Sequence, residues 1–84
     1  MSATDVAASL REVMADRLGI APEQITPEAR LVEDLGLDSL DAVELAIAVE
    51  RRFEIEVAEE ELARLQTVAD MLALVESRTA ARGG

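Results

Sequence analysis

The 84-residue chain contains no Cys, His, Tyr or Trp, and Phe53 is its single aromatic residue. Lys is missing too, so all eight cationic side chains are Arg. Each absence removes a class of chemistry. Without His or Lys there is no imidazole or amine to deprotonate a nucleophile, which excludes the usual hydrolase triads. Without Cys or His there is no donor set for a zinc or thiol-redox centre. Paired carboxylates can do acid–base work, but a chain this short buries too little to enclose a dry pocket around them. It is therefore expected to be acted on by enzymes rather than to be one. Long apolar runs are also lacking, as is a basic segment followed by an apolar stretch near Met1. The expectation is a soluble, cytoplasmic protein without membrane insertion.

What is abundant is acid: 18 Asp and Glu give a net charge of −10. The distribution is uneven. Residues 1–32 carry five acids and three Arg, residues 33–61 eleven acids and two Arg, and residues 62–84 two acids and three Arg. Such a middle third repels nucleic acid and attracts partners with basic surfaces. A solvated acidic surface that only aids solubility is the plainer alternative.

Half of the residues are apolar, and their spacing is helical. In residues 5–18, Val6, Ala7, Leu10, Val13, Met14 and Leu18 share one face, while Asp5, Ser9, Glu12 and Asp16 lie opposite. Ser2 with Asp5, or Thr4 alone, is the expected start and Gly19 the expected stop. Residues 19–37 form a long connection in which Ile20, Ile25, Leu31, Leu35 and Leu37 should face the core. Thr26, Pro27 and Glu28 read as N-cap, N1 and N2 of a short helical turn, and Gly36 as a position needing an unusual backbone angle. Residues 39–53 read as a second helix, 59–65 as a short third and the segment from Thr67 as a last one. Thr67 and Asp70 form its capping box, Val68, Met71, Leu72 and Val75 its buried face. That helix is expected to fade near Arg78. The alternating stretch 54–58 has no second strand to pair with and reads as extended loop. The expected fold is all-α: a small three-to-four-helix bundle with a long loop between the first two helices. It forms one domain over 1–84, with an ordered core of about 3–78 and a frayed tail at 79–84.

The second helix carries two apolar stripes. Ala42, Leu45, Ala46, Val49 and Phe53 make one; Leu40, Val43 and Ile47 make the other. Either the helix is central and buries both, or the second stripe is a docking surface rimmed by acids. At its start, Asp38 as N-cap pairs with Asp41 at N3, a carboxylate variant of the capping box. Ser39 as cap would place Ala42 at N3 and lose the box. Ser39 therefore falls at N1, its hydroxyl not needed for capping, where the helix dipole favours an attached anion.

The run Leu35-Gly36-Leu37-Asp38-Ser39-Leu40, followed by Asp41, Val43, Glu44 and Leu45, resembles the acyl carrier proteins. Glu33-Asp34, Glu50 and Phe53 match as well, and the resemblance spans residues 5–77. It implies that Ser39 is esterified by phosphopantetheine from coenzyme A, through a separate magnesium-dependent phosphopantetheinyl transferase. The thiol of that arm would carry an acyl group as a thioester to basic-surfaced synthases, reductases and acyltransferases. By the same resemblance the second helix is the recognition helix of a monomeric carrier. Asp38, Asp41, Glu44 and Glu50 would be its acidic contacts and Leu40, Val43 and Ile47 its apolar ones. Leu45, Ala46, Val49, Phe53, Leu62 and Leu65 would line an acyl pocket. Arg51-Arg52 departs from the family's usual acids, which leaves fatty-acid, polyketide and specialised-lipid pathways open.

Four other readings have some footing. Gly83-Gly84 is shared with ubiquitin-like and sulfur carriers, but those need strands. Acids near Gly36 suggest a calcium loop, but Leu35 and Glu33-Asp34 break its alternation. A helical interaction module without a prosthetic group, or a carrier of an aminoacyl unit, completes the set. Leu37-Asp38 before the serine favours the acyl class. The concentrated charge generates one prediction whichever reading holds. Screening should relieve self-repulsion, so the melting temperature rises from low salt to added magnesium.

Overall fold

The computed structural model describes residues 3–83, with side-chain surroundings for 5–80. Four α-helices follow in order: α1 (Ala3–Leu18), α2 (Ser39–Phe53), α3 (Glu59–Arg64) and α4 (Val68–Gly83), with a 3-10 turn at Pro22–Gln24. The expected all-α bundle is thus the observed one. Leu10, Met14, Leu45, Val49 and Val75 are fully buried and join α1, α2 and α4 in one aliphatic core. Burial of such a side chain contributes about 1.5–3 kcal/mol. An ion pair from Arg52 to Glu12, at 3.3 Å, links α2 to α1 on the surface. α1 closes as expected: Gly19 has φ +66 and donates its N–H to the Ala15 carbonyl at 2.9 Å. Its start differs from one expectation, because Thr4 lies inside the helix; Ser2 falls outside the described residues.

The long loop holds the core residues expected of it. Ile25, Leu31 and Leu37 are buried, Ile20 and Leu35 half-buried. The short helical turn, however, is at Pro22–Gln24 and not at Thr26-Pro27-Glu28. Thr26 only begins a single turn, its carbonyl accepting from Ala29 N–H at 3.0 Å. The reason is tertiary. The Pro27 carbonyl accepts from Ala69 N–H and the Ala29 carbonyl from Val68 N–H, both at 3.0 Å, while Leu31 N–H donates to the Gln66 carbonyl at 2.8 Å. Arg30 and Thr67 pair as an antiparallel bridge. The loop is thereby stitched along the beginning of α4, and it satisfies N–H groups there that no intrahelical carbonyl can reach.

α4 begins with the expected box. Thr67 Oγ1 accepts from Asp70 N–H at 3.2 Å, and Asp70 Oδ2 accepts from the N–H groups of Gln66 and Thr67, each at 3.1 Å. The helix continues to Gly83, past the fading expected at Arg78. No helix breaker stands between Arg78 and Gly83, Ala is a strong helix former, and Thr79 Oγ1 donates to the Glu76 carbonyl at 3.2 Å. α3 has no fully buried residue. Its Glu61 accepts from Ala58 N–H at 3.1 Å and forms an ion pair with Arg78 of α4.

Asp70 generates a pH prediction. The backbone N–H groups of Gln66 and then Thr67 hold its carboxyl below the ordinary aspartate value of 3.8. A carboxylate whose native pKa is lowered stabilises the fold above that ordinary value, and the gain is lost as pH falls through the native pKa. Asp70→Ala should therefore melt lower than the native chain at neutral pH. The gap in melting temperature should persist to near pH 3.8 and narrow below it.

Candidate functional site: the start of α2 and its groove

The segment leading into α2 is held from both sides. Arg30 donates from its backbone N–H (2.7 Å) and its Nε (3.2 Å) to Asp34 Oδ2 and from the guanidinium to Asp34 Oδ1 (3.2 Å), and it forms an ion pair with Glu33. These bonds hold the Asp34 carboxyl below the usual carboxylate range, the Arg30 guanidinium bond being the largest cause. Gly36 N–H then donates to the Val32 carbonyl and Leu37 N–H to the Leu31 carbonyl, both at 3.0 Å. Gly36 has φ +73, a left-handed angle that side chains resist. This turn brings the chain to Asp38 in extended conformation.

Asp38 is the N-cap and the box is reciprocal. Asp38 Oδ1 accepts from Asp41 N–H at 2.8 Å, and Asp41 Oδ2 accepts from Asp38 N–H at 3.3 Å. Ser39 is the first residue of α2 and is exposed. Its hydroxyl has no hydrogen bond among the described residues. Along the helix, Ala42 is half-buried and Leu45, Ala46, Val49 and Phe53 are buried, so the first stripe faces the core; Ala48 joins them. Leu40, Val43 and Ile47 remain exposed, at 66%, 49% and 44%. The alternative in which α2 buries both stripes is thus excluded. Glu44 is exposed and Asp41 half-buried, whereas half-buried Glu50 accepts from Val57 N–H at 3.0 Å and ties α2 to the loop before α3.

An open groove of about 840 Å³ begins beside Ser39. Val32, Leu37, Ala42, Val43 and Leu45 line one part, and Leu31, Leu62, Ala63, Leu65 and Met71 the rest; Asp38, Ser39 and Glu59 are its polar members. Of the six expected pocket residues, Leu45, Leu62 and Leu65 are on this groove. Ala46, Val49 and Phe53 are not; they are packed into the core along the later turns of α2. Leu31, Leu37 and Met71 line it instead. They come from the loop and α4, brought in by contacts distant in sequence that periodicity within one helix does not register.

These features define a small acidic helical bundle that presents an exposed serine at a helix start, beside an apolar groove. The sequence matches the family described as a phosphopantetheine attachment site over residues 8–75. It is 45% identical over 76 residues to an acyl carrier protein of Akkermansia muciniphila, covering 90% of this chain and 95% of that one. It is 40% identical over 81 residues to an acyl carrier protein of Thermosynechococcus vestitus, covering 96% and 100%. A third acyl carrier protein, from Wolinella succinogenes, is 43% identical over 68 residues, covering 81% and 90%. The chain belongs to the acyl carrier protein family. Its prosthetic group is phosphopantetheine, its role is carriage of acyl intermediates, and it interacts with acyl-processing enzymes.

The cap and the serine are separable by mutation. Asp38→Ala should cost about 0.5–2 kcal/mol of stability. Ser39→Ala, at an exposed position with no bond to lose, should stay within about 0.5 kcal/mol of the native chain. Urea denaturation of both variants checks the contrast.

Proposed function

We propose that Ser39 is the residue that bears phosphopantetheine and that the exposed strip of α2 is where enzymes engage the carrier. The observation that carries the first part is the division of labour at the helix start. Asp38 and Asp41 satisfy each other's backbone N–H groups, which leaves the Ser39 hydroxyl unbonded and accessible. In the loading step, the Ser39 oxygen forms a bond to phosphorus as the pyrophosphate bond of coenzyme A breaks and adenosine 3′,5′-bisphosphate leaves. The hydroxyl proton leaves to a base of the phosphopantetheinyl transferase, because this chain has no His or Lys to take it and the carboxylates of Asp38 and Asp41 are engaged in the capping box. The bound group supplies a thiol that holds acyl chains as thioesters. The positive end of the α2 dipole suits the phosphodiester, and Leu37, Leu45, Leu62, Leu65 and Met71 offer an aliphatic chain a surface away from water.

Docking rests on Leu40, Val43 and Ile47, apolar and exposed, with Asp38, Asp41 and Glu44 beside them. An apolar strip with a charged rim suits a partner that presents a hydrophobic recess among basic side chains. Glu50 contributes to that field, although its carboxylate also supports the loop at Val57. The chain works as a monomeric substrate protein in the cytoplasm, passed between synthases, reductases and acyltransferases, and is not itself an enzyme.

Intact-mass spectrometry tests the attachment. With coenzyme A, magnesium and a broad-specificity transferase, the native chain should gain one phosphopantetheine and Ser39→Ala none. Glu44→Arg should weaken engagement with the transferase and with acyl-processing enzymes while leaving the far-UV circular dichroism unchanged. Unaltered turnover at physiological salt would remove Glu44 from the docking surface.

A further inference from the structure

The pair Arg51-Arg52 divides into two different residues in the fold. Arg52 is engaged with Glu12 of α1 at 3.3 Å. Arg51 is exposed and, among the described residues, makes no ion pair. Leu40, Glu44, Ile47 and Arg51 follow one another at intervals of four, three and four residues, which sets them in one row along a helix. All four are exposed. The face is therefore charge-polarised: carboxylate toward Ser39, an apolar centre at Ile47, and a guanidinium at the far end. At about 1.5 Å per residue, Arg51 lies about 10 Å along the axis from Glu44 and about 18 Å from Ser39.

We infer that Arg51 is a partner-selecting residue and that this face fits an acyl-processing enzyme whose docking site is itself polarised. That site has basic side chains opposite Glu44, a recess for Ile47, and a carboxylate one helical turn further on, opposite Arg51. The inference rests on the docking role given to α2 above and goes beyond it in naming the second charge and its sign. A uniformly basic site would set a cation against Arg51, and like charges brought together at an interface are unfavourable and reject the wrong partner. Reversed charges at the two ends also fix which way along α2 the enzyme lies, and with it the approach to Ser39. A second copy of this chain, antiparallel, could also match Arg51 to Glu44. The net charge of −10 on each molecule opposes that association, and it would cover the helix that must reach enzymes.

The test uses the phosphopantetheine-loaded full-length carrier and a purified condensing enzyme from the same organism. KM is measured for the native chain, Arg51→Glu, Arg51→Ala, Arg51→Lys and Glu44→Arg, at low and physiological salt. Circular dichroism checks helicity, and sedimentation the oligomeric state. The expected result is a rise in KM of about tenfold or more for Arg51→Glu at low salt. Arg51→Ala should give a smaller rise, Arg51→Lys a value near native, and Glu44→Arg a rise of its own, with kcat little changed. A KM for Arg51→Glu and Arg51→Ala equal to or below native, with Glu44→Arg still impaired, overturns the inference and leaves the docking face standing. No change in any variant removes the docking face itself. A native dimer that Arg51→Glu dissociates overturns the enzyme partner in favour of a second copy.

Discussion

The working geometry of this protein depends on two carboxylates bonding to each other's backbone. Asp38 and Asp41 close the first turn of α2 by reciprocal N–H bonds. In doing so they set the register in which Ser39 occupies the first helical position without a structural task. A capping serine would have its oxygen committed to a backbone N–H. Here capping is assigned to the aspartates and the serine is left exposed, within four consecutive residues. The Arg30 to Asp34 clamp and the left-handed Gly36 deliver the chain to that point at a fixed angle.

α2 meets two demands that pull against each other. It buries Leu45, Ala46, Ala48, Val49 and Phe53, so it cannot leave the bundle, yet it leaves three large aliphatic side chains in water. The bare stripe costs solubility, which the surrounding acids restore, and those acids cost stability through mutual repulsion. The aliphatic core and the backbone bonds between the loop and α4 offset that cost. The arrangement keeps the interior fixed while one face of α2 stays apolar and open to solvent.

Much of this was legible in the sequence because the signals are local. The Asp38/Asp41 and Thr67/Asp70 boxes, the stop at Gly19, the unusual backbone angle at Gly36, and the two stripes of α2 need only spacing and residue type. What was not legible depends on contacts between distant segments. Thr26-Pro27-Glu28 has the chemistry of a helix start, but the Pro27 carbonyl is engaged by Ala69 N–H and the next one, of Ala29, by Val68 N–H, and the short helical turn lies earlier, at Pro22–Gln24. The groove takes Leu31 and Leu37 from the loop and Met71 from α4, and it omits Ala46, Val49 and Phe53, which are buried in the core. Glu50 reads as a surface acid until Val57 N–H is found beside it. Glu54 ends α2 in the left-handed region, φ 55, a position that composition would assign to glycine or asparagine. The end of α4 near Arg78 was set too early because a weakening apolar pattern does not by itself stop a helix rich in alanine.

The stitching of residues 27–31 to residues 66–69 has a consequence for how the molecule comes into being. These bonds join the two flanks of everything that surrounds Ser39, so the segment lies inside a closure whose second half is made after it. A nascent chain halted before Gln66 has the serine but not the frame that presents it. Closing so large a loop is also slow compared with forming a helix. The frame around Ser39 is thus complete only once residues 66–69 have been made and have docked on the loop.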